Sequence, residues 1–244
     1  MIGVDDSHRR SQVERLVGAY GPDVDGLCRA CLTAIPGIGG VGVTIMSPNA
    51  QLVRFASDVV NARVEQLQFL LGEGPCRDAF ATAGPVLAGD LRDRDWQNRW
   101  PAFAPAAVLA GAHAVFALPL QVGPTRVGVL DLYRDTAGDL HDDALSEAIL
   151  YADAVTDLLL AETAAQADDD FPVDSDSGSR GLLQRAAVNQ ATGMVRVQLR
   201  VTVEDALTRL RAYAFAAGRE LDEVAAEVIA RRLRFDDSDE DEDR

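Results

Sequence analysis

Hydrophobic positions change their period several times along the chain, and each change marks an element. Residues 12–34 show helical spacing up to a stop at Pro36-Gly37. Residues 41–46 are β-branched and nearly continuous, Ser47-Pro48-Asn49-Ala50 reads as a turn, and 52–56 resume as strand, which predicts a hairpin. A helix is predicted over 59–71, a break at Gly72-Glu73-Gly74-Pro75, and a short helix over 76–82 that starts at the proline. A brief strand at 86–88 precedes a second hairpin, 115–120 and 127–132 around Gly123-Pro124, and 142–160 is a long amphipathic helix. Antiparallel hairpins with helices at both ends predict an α+β unit with a central antiparallel sheet flanked by helices.

The remainder reads differently. A helix is predicted from 182 to 199, Thr202 to Asp205 follows the capping-box pattern, Gly218 stops the second helix, and Leu221, Val224, Ala225, Val228, Ile229 and Leu233 give a third apolar stripe. Three short helices sharing one core predict an all-α three-helix bundle. An acidic, small-residue seam and an acidic end run bracket this bundle. The expected domains are therefore 11–162, a linker at 163–179, the bundle at 180–235 and a tail at 236–244.

Composition narrows the function. With 244 residues, 48% of them hydrophobic, the chain holds enough apolar mass for a packed core. Thirty-nine acidic against 23 basic side chains give a formal net charge of -16, a balance that repels nucleic acid and anionic lipid unless a local basic island exists. Every basic side chain is arginine, which excludes a Walker-type phosphate loop, Schiff-base chemistry and protein-kinase transfer. Residues 1–15 lack the apolar core of a signal peptide. The uncharged stretch 101–125 is interrupted by Pro101, Pro105, Gly111, His113 and Pro119 and reads as a loop followed by a strand, not a membrane span. A cytoplasmic protein without membrane contact is expected.

The basic island lies in the bundle. From 178 to 235 there are ten arginines against six acids, a surplus of four positive charges. Arg185, Asn189, Thr192, Arg196 and Arg200 are spaced four, three, four and four, which puts them on one helical face. Such a face is either an ordinary solvated surface or one that grips phosphates and base edges with guanidinium forks and an amide. The tail directly follows Arg231, Arg232 and Arg234 and reads either as a solubilising run or as a phosphate mimic that covers the basic face.

Elsewhere the candidate chemistry is thin. Cys28-x-x-Cys31 has metal or redox spacing but sits in an amphipathic helix without a second pair, and reads as core. Cys76 follows Gly74-Pro75 at a helix start, where a thiolate is favoured, so a redox role stays open for it. Of His8, His113 and His141 only His113 lies in a structured stretch to serve as a base. No catalytic residue, metal site or cofactor is expected, and the chain is not read as an enzyme.

Residues 184–233 resemble the ANTAR domain, an RNA-binding antitermination module. The resemblance rests on Gln190-Ala191-x-Gly193-Met194, on Val203-Glu204-Asp205-Ala206-Leu207 and on Arg219-x-Leu221-x-x-Val224-Ala225. It implies recognition of hairpin loops in nascent transcripts, whose splayed bases are readable where duplex RNA is not. Arg185, Asn189, Gln190, Thr192, Gly193, Arg196 and Arg219 are the implied contacts. Thr192 stands where the family usually has lysine, with Arg196 one turn on as the replacement cation, and Arg200 stands where a glycine is expected. Residues 13–160 resemble a GAF domain through the run 67–91, Trp100-Pro101-x-Phe103 and the run 116–133. That resemblance implies a sensory unit with an unidentified small-molecule ligand and a homodimer, paired through the apolar stripes of 12–34 and 142–160. The alternatives are a small-molecule or redox-sensing GAF protein whose helical domain mediates protein contacts only, and double-stranded DNA binding through the three helices.

Overall fold

The computed structural model describes residues 3–47, 50–168 and 178–235, without the side chains of 3–6, 50, 165–168, 178–186 and 204. The middle of the expected linker (169–177), the tail (236–244) and Pro48-Asn49 of the first turn lie outside the described residues. The described chain divides into two compact units, one carrying a five-stranded sheet with its helices and one made of three helices.

The expected helix over 12–34 is two helices, α1 (Gly3–Tyr20) and α2 (Val24–Ala34). Gly21 at φ +57 leaves the helical path and Pro22 cannot continue it, while Asp23 caps α2 by accepting the Gly26 N–H at 2.8 Å. The chain continues with β1 (Gly40–Ser47), β2 (Ala50–Ala56), α3 (Val59–Leu71), α4 (Pro75–Thr82) and β3 (Val86–Ala88). Two short helices follow, α5 (Arg94–Arg99) and α6 (Phe103–Leu109), the second inside the stretch expected as loop. Then come β4 (Ala114–Val122), β5 (Thr125–Arg134) and α7 (Asp142–Asp168). α7 runs well past 160, because Ala, Glu and Gln sustain a helix where their polarity reads as linker.

The sheet order is β2-β1-β5-β4-β3, with antiparallel pairing of β1 with β5, β5 with β4 and β4 with β3. Alternation gives it two unlike faces. One is aliphatic: Val41, Val43, Phe116, Leu118, Leu130 and Leu132 form a core with Leu27, Cys28 and Cys31 of α2 and Val155, Leu158 and Leu159 of α7. The stripes expected to pair two copies are thus buried within their own chain. α1 lies along α7, tied by Arg9 to Asp153 at 2.6 Å. The opposite face carries small and polar residues, Gly42, Thr44, Ala117 and Asp131, under α3 and α4.

That cover is fixed at several points. Trp96 and Trp100 stack at 4.8 Å, and Trp100 meets Phe103 edge-on at 6.1 Å. Asp78 accepts the Trp100 indole N–H at 3.0 Å, and Glu73 accepts the N–H groups of Ala102 and Phe103 at the start of α6.

The second unit is the expected three-helix bundle, α8 (Gly178–Leu199), α9 (Val203–Ala216) and α10 (Leu221–Ile229). Val188, Ala191, Val195 and Leu199 of α8 are buried, as are Ala206, Leu210 and Ala214 of α9 and Leu221, Val224, Ala225 and Val228 of α10. Thr202 caps α9 through the Asp205 N–H at 3.1 Å. α10 stops before Leu233: Arg231 turns the chain at φ +59 and Phe235 returns, its N–H on Gln198 Oε1 at 3.0 Å and its ring 5.5 Å from that of Tyr213.

Candidate functional site

The burial of α8 decides which of its polar residues can meet a partner. The buried positions 188, 191, 195 and 199 define the face toward the bundle core, and Thr192 lies on the same side at 3% exposure. Its hydroxyl donates to the Val188 carbonyl at 2.7 Å, inside its own helix. Thr192 is therefore withdrawn from the contact face expected of it, because the spacing of four, three, four and four drifts to the edge of the stripe at this residue. Asn189, Gln190, Gly193, Arg196 and Arg200 are exposed. A Cβ added to Gly193 would meet nothing within 4 Å, so the middle of this face is open backbone. Arg185 falls within α8, but its side chain is outside the described residues.

Arg219 also departs from expectation. It precedes α10 and reaches along it, with Nη1 at 2.9 Å from Glu227 Oε2 and Nε at 3.9 Å from Glu223. The hydrogen bond to Glu227 raises the guanidinium pKa and lowers that of the carboxyl, so each partner holds the other charged. Of the expected contacts, Arg219 is thus engaged internally at 32% side-chain exposure, while Arg196 has no ion-pair partner among the described residues.

Arg200 joins Arg196 on the open face. It occupies the left-handed conformation at φ +55 that a glycine would adopt without strain at the end of α8. The sequence signal for it was the missing glycine. The strip available to a ligand is Asn189, Gln190, Gly193, Arg196 and Arg200: two amides, bare backbone and two cations.

The thiols are not a reactive set. Cys28, Cys31 and Cys76 are free and buried. Burial and the nearby Asp25 push Cys28 up to about 12, and burial raises Cys31 as well. Cys76 does start a helix, after Pro75, yet burial together with Asp131 and Glu65 holds its thiol well above the ordinary range. The expected low-pKa redox thiol is absent from this position, since desolvation outweighs the helix terminus. His113 is not among the groups acting on Cys76.

No helix among the described residues is long and apolar enough to cross a membrane.

No curated relative matches the chain. Among solved structures the chain is similar to the GAF domain of an Acinetobacter phosphoenolpyruvate-protein phosphotransferase, at 14% identity over 71% of this chain and 100% of that one, TM-score 0.48. It is similar to a domain assigned to a two-component sensor histidine kinase of Sinorhizobium meliloti 1021, at 13% identity, 59% and 93% coverage and TM-score 0.47. It is also similar to the free methionine-R-sulfoxide reductase of Neisseria meningitidis, at 19% identity, 68% and 96% coverage and TM-score 0.42. The family model of the ANTAR domain matches residues 179–229, the stretch that holds all three helices of the bundle and the open strip on α8. Residues 179–229 are an ANTAR domain.

Proposed function

We propose that the chain is a cytoplasmic transcription antitermination regulator that binds hairpin loops of nascent RNA through its ANTAR domain, under the control of the GAF-like sheet unit. The observation that carries this reading is the open strip along α8 and its C-terminal end inside the matched region, where two amides and bare backbone are followed by Arg196 and Arg200. Guanidinium groups grip phosphate, Asn189 and Gln190 offer donors and acceptors to unpaired base edges, and Gly193 admits the RNA backbone. The four-charge surplus of the bundle provides attraction that the rest of an anionic chain does not. A small-molecule ligand of the sheet unit and a homodimer belong to the same reading. Light scattering tests the homodimer, and a mass of one chain removes it.

The decisive experiment titrates the full chain with a two-hairpin RNA, its loop-scrambled counterpart and duplex DNA at two salt concentrations. Preference for intact loops, at least tenfold over either competitor, is the expected result. Equal affinity for all three overturns loop recognition, and tighter duplex DNA points to a helix-turn-helix mode.

A second reading has its own observation. Val197 and Phe215 are 75% and 73% exposed on α8 and α9, two large apolar side chains left in solvent that a protein partner would cover. Val197→Ser and Phe215→Ser separate the two: unchanged RNA affinity with loss of a protein complex supports contact with a protein.

A further inference from the structure

Three residues that no local motif links meet beneath α3. Glu65, Cys76 and Asp131 are buried, and their ligating atoms lie within 4.8 Å of one another. The fold brings them there by specific contacts. Asp58 caps α3, accepting the N–H groups of Val60 and Asn61, and takes the Tyr133 hydroxyl at 3.0 Å. This fixes the helix start and turns Asn61, Glu65 and Gln68, spaced four and three, onto the sheet. Gln68 Oε1 then accepts the backbone N–H of Cys76 at 2.7 Å, seating the thiol, whose sulfur is 3.5 Å from Met46 Sδ. The Thr44 hydroxyl donates to Glu65 Oε2 at 2.8 Å.

Gly42, which faces Asp131 across the β1–β5 pairing, lets the polar side chains of α3 approach the sheet closely. A Cβ there would lie 2.5 Å from Asn61 Oδ1 and 2.9 Å from Glu65 Oε1. Both amide atoms of Asn61, a fully buried residue, lack a hydrogen-bond partner. Neither oxygen of the equally buried Asp131 makes a hydrogen bond of ordinary geometry, although Glu65, Cys76 and Gln68 stand close enough to act on its charge. None of those three is basic. A carboxylate withdrawn from water, as at Asp131, is costly unless a proton neutralises it or a cation meets it.

We propose that Glu65, Cys76 and Asp131 bind one divalent transition-metal ion, with Asn61 Oδ1 as a neutral oxygen beside it. The donor set selects the metal. A thiolate with a thioether behind it favours zinc(II), iron(II) or cobalt(II) over magnesium or calcium. Ligand bonds of about 2.0–2.3 Å put donors roughly 3.3–3.8 Å apart in a tetrahedral site, so the 4.8 Å span closes by small side-chain rotations. Binding releases the protons held by the thiol and by any protonated carboxyl, leaving thiolate and carboxylates on the metal.

The test uses the full chain, purified in chelator and titrated with cobalt(II). One equivalent per chain and a thiolate-to-cobalt charge-transfer band are expected. Cys76→Ser should abolish the band, and Glu65→Gln or Asp131→Asn should weaken binding at least tenfold. Asp131→Asn removes a buried ionisable group, so in chelator it should melt at the wild-type temperature or above, which shows that its lost binding is not unfolding. Zinc at a hundredfold excess over Kd should raise the wild-type Tm by about 5 °C or more and leave Asp131→Asn unmoved. No stoichiometric cobalt uptake, a band that survives Cys76→Ser, or equal zinc shifts in wild type and Asp131→Asn, as surface acids would give, each overturns the proposal.

Discussion

Gly193 lies in the interior of α8, where glycine costs about 1 kcal/mol relative to alanine, and an added methyl would touch nothing. Gly193→Ala should therefore stabilise the bundle by up to about 1 kcal/mol in denaturant titration while weakening loop binding. Equal RNA affinity in this variant would show that no backbone approach occurs there. The two arginines divide in the same manner. Arg196→Ala should flatten the salt dependence of RNA binding by about 0.7 in slope, the contribution of one phosphate contact to a single strand, whereas Arg219→Ala should leave the slope unchanged. Its guanidinium is held by Glu227. A reduced slope in Arg219→Ala would mean that RNA displaces that carboxylate. The cysteines give a third expectation: with all three thiols buried, the native protein should resist a thiol-specific disulfide reagent at pH 8 and react at every cysteine in denaturant. Rapid native labelling of Cys76 would restore it as a redox candidate. Thr192 shows why this level was only partly legible. Its spacing from Asn189 and Arg196 suits the exposed face, and only the packing of Val188 and Val195 beside it settles that it turns inward.

Elements were read from the chain where punctuation and period agreed. Both hairpins, α3, α4 and the Thr202 cap follow from turn residues, proline at a helix start and a side-chain acceptor. The break between α1 and α2 was hidden because the apolar period carries across Gly21-Pro22, and α6 because its alanines lie among prolines that suggest loop. The end of α8 offers a test of backbone strain. Arg200 holds a left-handed conformation that costs a side-chain-bearing residue roughly 1–2 kcal/mol. Arg200→Gly should raise the stability of the bundle by about 1 kcal/mol and lower RNA affinity at the same time, because it relieves the backbone and deletes a cation. Denaturant titration and binding on one sample check both signs.

At the scale of the whole molecule, a basic bundle sits in a chain of net charge -16, and residues 236–244 contribute seven acids and one arginine to that total. Truncation after Phe235 should tighten RNA binding at low salt, and the difference should close near 1 M salt, where screening shortens to about 3 Å. Identical low-salt affinities would limit the acidic run to solubility. The Glu65, Cys76 and Asp131 cluster was illegible in the sequence because it is non-local: the three come from α3, α4 and β5, and only strand register and helix capping assemble them. The bare glycine opposite Asp131 has a practical consequence. A single methyl group at position 42 would press on Asn61 Oδ1 and Glu65 Oε1 in the sheet unit while every residue of the α8 strip stays as it is. Gly42→Ala should therefore lower the stability and the cobalt affinity of the sheet unit while leaving the RNA affinity of the full chain at the wild-type value, so that one substitution addresses the two units separately.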